Sequence, residues 1–192
     1  MLDCRVIPMF VLLSCCAWTV RADIVTVAST SVSQGSTFTV PVSIVGASDL
    51  YAFQFSLFYD PLQLQLLSID EGAFLGSAGP TFFIPGSIDN GVGTAAFTGD
   101  TLLAVTPGAV GSGPLALFTF EFVGTGATGL TLSDAIFLDS NLAEIPVSLE
   151  QGEIASLPEP NYLPFLAIMI LIFWVVRFHL DRKCSKVLNR LR

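Results

Sequence analysis

From Asp23 to Val176 the sequence has no lysine and no arginine, and from Asp23 to Leu157 it also lacks histidine, cysteine and tryptophan. Each absence removes a class of chemistry. Without imidazole or thiol there is no Ser–His or Cys–His nucleophilic pair, and without lysine no Lys-activated serine. Zinc and copper sites built on imidazole or thiolate are excluded for the same reason. No cation is present to grip a phosphate, and the fourteen acidic residues between Asp23 and Pro160 repel a nucleic-acid backbone. All four cysteines (Cys4, Cys15, Cys16 and Cys184) lie in the end segments, so no disulfide staples the body. About 130 residues are enough for one apolar core, and that core alone must hold the body. Two chemistries survive: carboxylate-pair glycoside hydrolysis and oxygen-ligand calcium binding.

The positive charge that the body lacks is gathered at the two ends. Arg5 and Arg21 flank the apolar run Val6–Trp18, which reads as a secretory signal over residues 1–22, cut before Asp23. The stretch Leu12-Leu13-Ser14-Cys15 fits a lipoprotein signal loosely. The alternative is two thiols filling an apolar segment. At the other end, the uncharged run Tyr162–Val176 is followed by Arg177, Arg182, Lys183, Lys186, Arg190 and Arg192. Fifteen residues at helical rise cover roughly 22 Å, and snorkelling by Arg177 lets Phe178 and Leu180 extend the stretch toward the roughly 30 Å of a hydrocarbon core. Residues 162–180 are therefore expected to be a transmembrane helix, with Arg177, Arg182, Lys183 and Lys186 as its membrane-stop charges and residues 181–192 as a basic cytoplasmic tail. The body is expected to be exported, first as an inner-membrane-anchored precursor.

Between these ends the pattern is that of strands. Thr37–Ile44 alternates polar with apolar residues, and Tyr51–Tyr59 places Tyr51, Phe53, Phe55, Leu57 and Tyr59 on one face. Ala116, Phe118, Phe120 and Phe122 share a face, with Thr119 and Glu121 opposite. Further strands are expected at Ile24–Ala28, Leu62–Ile69, Val92–Thr98, Leu130–Leu132, Ala135–Leu138 and Glu144–Leu149. Turn residues such as Asp60-Pro61, Glu71-Gly72 and Asp89-Asn90-Gly91 separate them. About nine short strands without helical periodicity predict an all-β, antiparallel jelly-roll sandwich over residues 23–154. Pro41 belongs at an edge or a bulge. Residues 155–161 read as a Pro-rich linker.

Two resemblances follow from these residues. Pro158-Glu159-Pro160, then a short apolar helix, then an Arg/Lys-rich end, resembles the PEP-CTERM sorting signal of Gram-negative bacteria. That resemblance implies processing by an exosortase and delivery of the body to the cell envelope or extracellular matrix. The stretches Gly35–Val42, Leu50–Pro61, Glu71–Leu75 and Gly113–Phe120 are similar, in residues and order, to the strands of a cohesin domain. The family relationship implies a nine-stranded jelly roll related to cellulose-binding modules, and a noncatalytic role in which one sheet face binds a calcium-loaded dockerin.

The candidate sites are weighed within that frame. Glu121 on a strand, and Asp60, Glu71, Asp89 and Asp100 at turns, are the carboxylates available to a hydrolase, although ordinary turn roles account for most of them. Asp134, Asp139, Asn141 and Glu144 crowd one loop region with oxygen donors alone, the composition of a calcium site. The alternative is a solvated acidic loop, since the spacing is not that of an EF-hand. Sugar binding would rest on Tyr51 or Tyr59, which share the phase of the core phenylalanines. The expected function is an adhesion module with a dockerin-like protein partner. The alternatives are a carbohydrate-binding module acting on exopolysaccharide and, more remotely, a carboxylate-dependent glycoside hydrolase.

Overall fold

The computed structural model describes residues 22–104, 107–157, 168–174 and 177. The strands are β1 (Asp23–Val27), β2 (Thr30–Val32), β3 (Thr37–Leu50), β4 (Ala52–Phe58), β5 (Leu64–Glu71), β6 (Thr81–Ile84), β7 (Ser87–Asp89), β8 (Thr94–Leu102), β9 (Ala109–Phe122), β10 (Thr128–Leu138), β11 (Val147–Glu150) and β12 (Gly152–Ser156). One helical turn, α1 (Ala73–Gly76), sits between β5 and β6. The strands form two sheets, in the orders β11-β1-β3-β9-β5 and β2-β12-β10-β4-β8-β6, with β7 also paired to β8.

Period-two alternation decides which side chains fill the space between the sheets. The first sheet contributes Val40, Val42 and Ile44 from β3 and Phe118, Phe120 and Phe122 from β9, none more than 1% exposed. The second sheet answers with Phe53, Phe55 and Leu57 from β4 and Phe137 from β10. Contacts between aromatic rings lock the layers together: Phe55 meets Phe118 at 6.1 Å between centroids, and Tyr59 meets Phe120 edge-on at 5.3 Å. Each such side chain contributes about 1.5–3 kcal/mol by leaving water. The two faces assigned from alternation on Tyr51–Tyr59 and Ala116–Phe122 are thus the faces that pack.

Several expectations change. There are twelve strands among the described residues rather than about nine, because β2, β6 and β7 are edge pieces of three or four residues, too brief to show a period, and β12 is a further five-residue strand between β2 and β10. Leu130–Leu132 and Ala135–Leu138 belong to one strand, β10, broken by a bulge at which Asp134 takes φ 50°. The sandwich is not wholly antiparallel, since β1 pairs β11 and β12 pairs β2 in parallel. Glu144 makes just an isolated bridge to Leu138, and the strand resumes at Val147 after Pro146. β12 takes in Ala155 and Ser156, read from sequence as linker.

Pro41 lies on β3, inside its sheet, rather than at an edge. It sits where β1 leaves the ladder: β1 pairs no further than Val42, and the Pro41 carbonyl accepts the Ala28 N–H at 3.1 Å. The donor that proline lacks would point to that same vacated side, so no rung is lost. A bulge against β9 follows directly, between Val42 and Ser43.

Residues 168–174 are helical, and among the described residues no helix is long and apolar enough to cross a membrane. Most of the expected signal peptide, the triad Pro158, Glu159 and Pro160, the greater part of residues 162–180, and Arg182, Lys183 and Lys186 lie outside the described residues.

Candidate functional site

The outer face of the second sheet is where this fold exposes what it would ordinarily hide. Phe58 on β4, Phe82 and Ile84 on β6, Phe97 on β8 and Ile136 on β10 are between 42% and 60% exposed. Register places them together. Phe82 stands opposite Thr101, Ile84 opposite Gly99, Gln54 opposite Gly99 and Ile136 opposite Gln54, all on the side away from the core. Phe82, Ile84, Phe97 and Ile136 line a shallow groove of about 320 Å³; Phe58 lies farther along β4, opposite Thr94 and Thr131.

The backbone goes out of its way to present Phe97. Between the pairs Phe55–Thr98 and Leu57–Ala95, β8 bulges and Phe97 takes φ 58°. A non-glycine residue there costs on the order of 1–2 kcal/mol, and a bulge commonly re-aims a side chain. Here the result is an aromatic ring turned to solvent. The Ser56 hydroxyl accepts the displaced Phe97 N–H at 3.4 Å. The β10 bulge falls beside the same two residues of β4, Phe55 and Ser56, from the other side. Gly86, at φ 81°, lets β6 and β7 both lie along β8, because any Cβ there would collide with the Ala96 carbonyl.

The acidic residues named from sequence are scattered around this face rather than gathered on it. Asp60 and Asp89 serve turns: Asp60 accepts the Leu62 N–H at 2.9 Å, and Asp89 the Gly91 N–H at 2.8 Å. Asp100 is not at a turn. It lies within β8, 4% exposed, with its side chain between the sheets opposite Phe53 and Phe83. Burial, and then the charge of Glu71, pushes its carboxyl up to about 6. Glu121 lies on β9 of the other sheet, paired with Gln65 and Thr37 on the solvent side, so it shares no cleft with Asp100.

Of the four oxygen-donor residues, Asp134 occupies the β10 bulge and accepts the Ser133 hydroxyl at 3.0 Å. Asp139 spends one oxygen on the N–H groups of Asn141 and Ala143, at 2.8 and 2.9 Å. Among the described residues no three His, Cys, Asp or Glu side chains gather as metal ligands. Both tyrosine hydroxyls are engaged internally, Tyr51 with the Ala104 carbonyl at 3.2 Å and Tyr59 with Asn90 at 2.7 Å. Burial, helped by the charge of Asp89, pushes the Tyr59 hydroxyl up to about 12.

Sequence reasoning missed two polar anchors. Asn90 reaches from the turn after β7 to the backbone of Leu66 on the opposite sheet, donating to its carbonyl at 3.1 Å and accepting its N–H at 2.8 Å. Asp49, at the end of β3, accepts the Ser140 hydroxyl at 2.7 Å and the Gly108 N–H at 2.6 Å. The Ser140 bond, against slight burial and with the help of backbone donors, holds its carboxyl below the usual range.

The fold has counterparts among known proteins. The chain is similar to a non-cellulosomal cohesin from the archaeon Archaeoglobus fulgidus, at 17% identity and TM-score 0.58, over 72% of this chain and 94% of that one. It is similar to the third cohesin of ScaC from Acetivibrio cellulolyticus, solved in complex with the ScaB dockerin, at 23% identity and TM-score 0.59, over 71% and 99%. It also resembles the Coh-OlpA–Doc918 complex from Clostridium thermocellum, a type I cohesin–dockerin complex, at 13% identity and TM-score 0.59, over 71% and 100%. A search of curated proteins found no match. Cohesin domains are noncatalytic binding modules. The family described as cohesin domain matches residues 24–155, well over half of the 192 residues, and the chain belongs to the cohesin family.

Proposed function

We propose that this chain is an exported, noncatalytic recognition module that binds a dockerin-like protein through the outer face of its second sheet. One observation carries the reading: Phe82, Ile84, Phe97 and Ile136 converge, exposed, on one groove, and the backbone accepts strain at Phe97 to complete it. Exposed apolar surface set on a rigid sheet is the usual hardware of a protein interface, where buried aromatics supply most of the affinity. The body around it carries no cation from Asp23 to Leu157, so a partner with basic residues at the rim of its contact is steered and selected by charge. The dockerin complexes among the structural neighbours support a protein partner of that class.

Delivery rests on the sequence. A signal over residues 1–22, a span over 162–180 and the triad Pro158-Glu159-Pro160 ahead of basic residues describe export followed by exosortase-type sorting to the envelope or extracellular matrix.

The test is capture of dockerin-bearing proteins from the spent medium of the source organism by the immobilised full chain. Capture should fall at least tenfold for Phe97→Ser and Phe82→Ser, and remain for Val110→Ser, an exposed change on the other sheet. Undiminished capture by both face variants would sink the assignment of the face. A second reading, stacking of exopolysaccharide on the exposed rings of Phe58, Phe82 and Phe97, draws on the same exposures. Chelator separates the two, because dockerin binding is lost with calcium and ring stacking is not.

A further inference from the structure

Two carboxyls among the described residues keep a buried oxygen with no donor against it, those of Asp23 and Asp100. Asp100 differs in what stands beside it. Its Oδ1 accepts the Thr101 N–H at 2.8 Å. The group within hydrogen-bonding reach of the rest of its carboxyl is another acid, Glu71. Two carboxylates cannot bond to one another; a carboxylic acid and a carboxylate can, with one proton between them.

The surroundings offer no other way to balance the charge. β4 presents Phe53 against Asp100, and β6 presents Phe83. α1, which packs on β8, consists of Ala73, Phe74, Leu75 and Gly76. β9 faces the end of β5 with Ala116 and Leu117. Asp70, next to Glu71, is exposed and takes the Ser68 hydroxyl. Among the described residues, Glu71 is therefore the sole titratable group facing Asp100, and no cation reaches the pair.

Glu71 is in turn tied to the edge of the second sheet. Thr81, the first residue of β6, donates its hydroxyl to Glu71 Oε1 at 2.5 Å. The residues that follow it, Phe82 and Ile84, form one wall of the apolar groove, and β6 is a four-residue edge strand held along one side by β8.

We propose that Asp100 and Glu71 share one proton, and that this proton, acting through Thr81, fixes the start of β6 so that the apolar face is better ordered in mildly acidic than in mildly alkaline medium. As a control on partner binding, this rests on the assignment of that face as the recognition surface. Loss of the proton leaves two carboxylates side by side without a counter-ion. Glu71, the exposed member, then turns toward water and releases the Thr81 hydroxyl. Burial of Asp100 and the neighbouring Glu71 charge both favour the protonated acid, with a midpoint of about 6.

The pair is tested without any partner, by carbon-13 and amide NMR of the full chain in detergent micelles between pH 4 and 8. The Asp100 carboxyl carbon should move with a midpoint near 6, and the Thr81 and Phe82 amides should follow the same curve. Glu71→Gln should lower the Asp100 midpoint. Thr81→Val should leave the carboxyl titration intact and remove the step at Phe82. An Asp100 midpoint in the ordinary range near about 4, or one indifferent to Glu71→Gln, or a Thr81 amide that does not titrate, would overturn the proposal. Failure to capture a dockerin would leave these curves unchanged, so the two readings fail separately.

Discussion

The Tyr59 hydroxyl donates to Asn90 Oδ1 at 2.7 Å, and the same side chain pairs with both backbone groups of Leu66. A turn of the second sheet is thereby pinned to β5 of the first, where β5 bulges between Leu66 and Ser68. Asn90→Ala removes all three bonds and strands the Leu66 N–H and carbonyl, at an expected cost of about 3 kcal/mol. Tyr59→Phe removes one and should cost about 1 kcal/mol. Urea unfolding of both single variants and the double variant measures this, and additive effects would show that the two side chains are not coupled.

Phe97 sets stability against recognition. Phe97→Gly relieves a left-handed backbone and removes an exposed ring, so it should raise the unfolding free energy by about 1 kcal/mol while weakening partner capture. A variant that loses both stability and capture would mean that the ring supports the sheet rather than the partner. Thermal unfolding alongside the capture assay distinguishes the outcomes.

Asp100 gives stability an unusual pH dependence. Its folded pKa, about 6, lies above the ordinary 3.8, so its favourable contribution is complete below pH 3.8 and is lost as pH rises through 6. Asp100→Asn should therefore flatten the stability profile and be the more stable form at pH 8, by on the order of 2 kcal/mol. Urea midpoints at pH 5 and pH 8 check the sign. A wild-type protein that gains stability between those values, with the variant unchanged, would contradict it.

Asp49 acts in the opposite direction. Its lowered carboxyl contributes stability above pH 3.8, and that contribution disappears as pH falls through the lower folded pKa. Asp49→Ala frees the segments at Gly108 and Ser140 from the end of β3, with an expected loss of about 1 kcal/mol. Amide hydrogen exchange should accelerate at both segments together. Acceleration at one alone would show that they are held independently.

The sequence disclosed the parts of the fold whose pattern survives in burial. Alternation along Tyr51–Tyr59 and Ala116–Phe122 is unbroken where the side chains pack, so the two facing layers could be drawn from residues alone. It failed where geometry departs from period two. Ala95-Ala96-Phe97-Thr98 reads as an ordinary strand, and nothing in it announces the bulge that turns Phe97 outward. Thr81–Ile84 sits between Pro80 and Pro85 and is too short to show a period, so an edge strand carrying half the groove went unread. Asn90 looked like a turn residue because its chain neighbours are Asp89 and Gly91; its partners on Tyr59 and Leu66 are remote in sequence. Asp100 is an acid, a residue type that by itself argues for exposure. The signal would have been its phase with Leu102, which is buried on the same side of β8.

The two ends of the body cross from one layer to the other side by side: β1 and β11 lie parallel in the first sheet, β2 and β12 in the second. Tension applied beyond Leu157 draws β12 lengthwise past β2 and β10, so the bonds on both flanks bear load together instead of parting one at a time. A module pulled through this end would thus be loaded in shear along β12, and its resistance would be mechanical as well as thermodynamic.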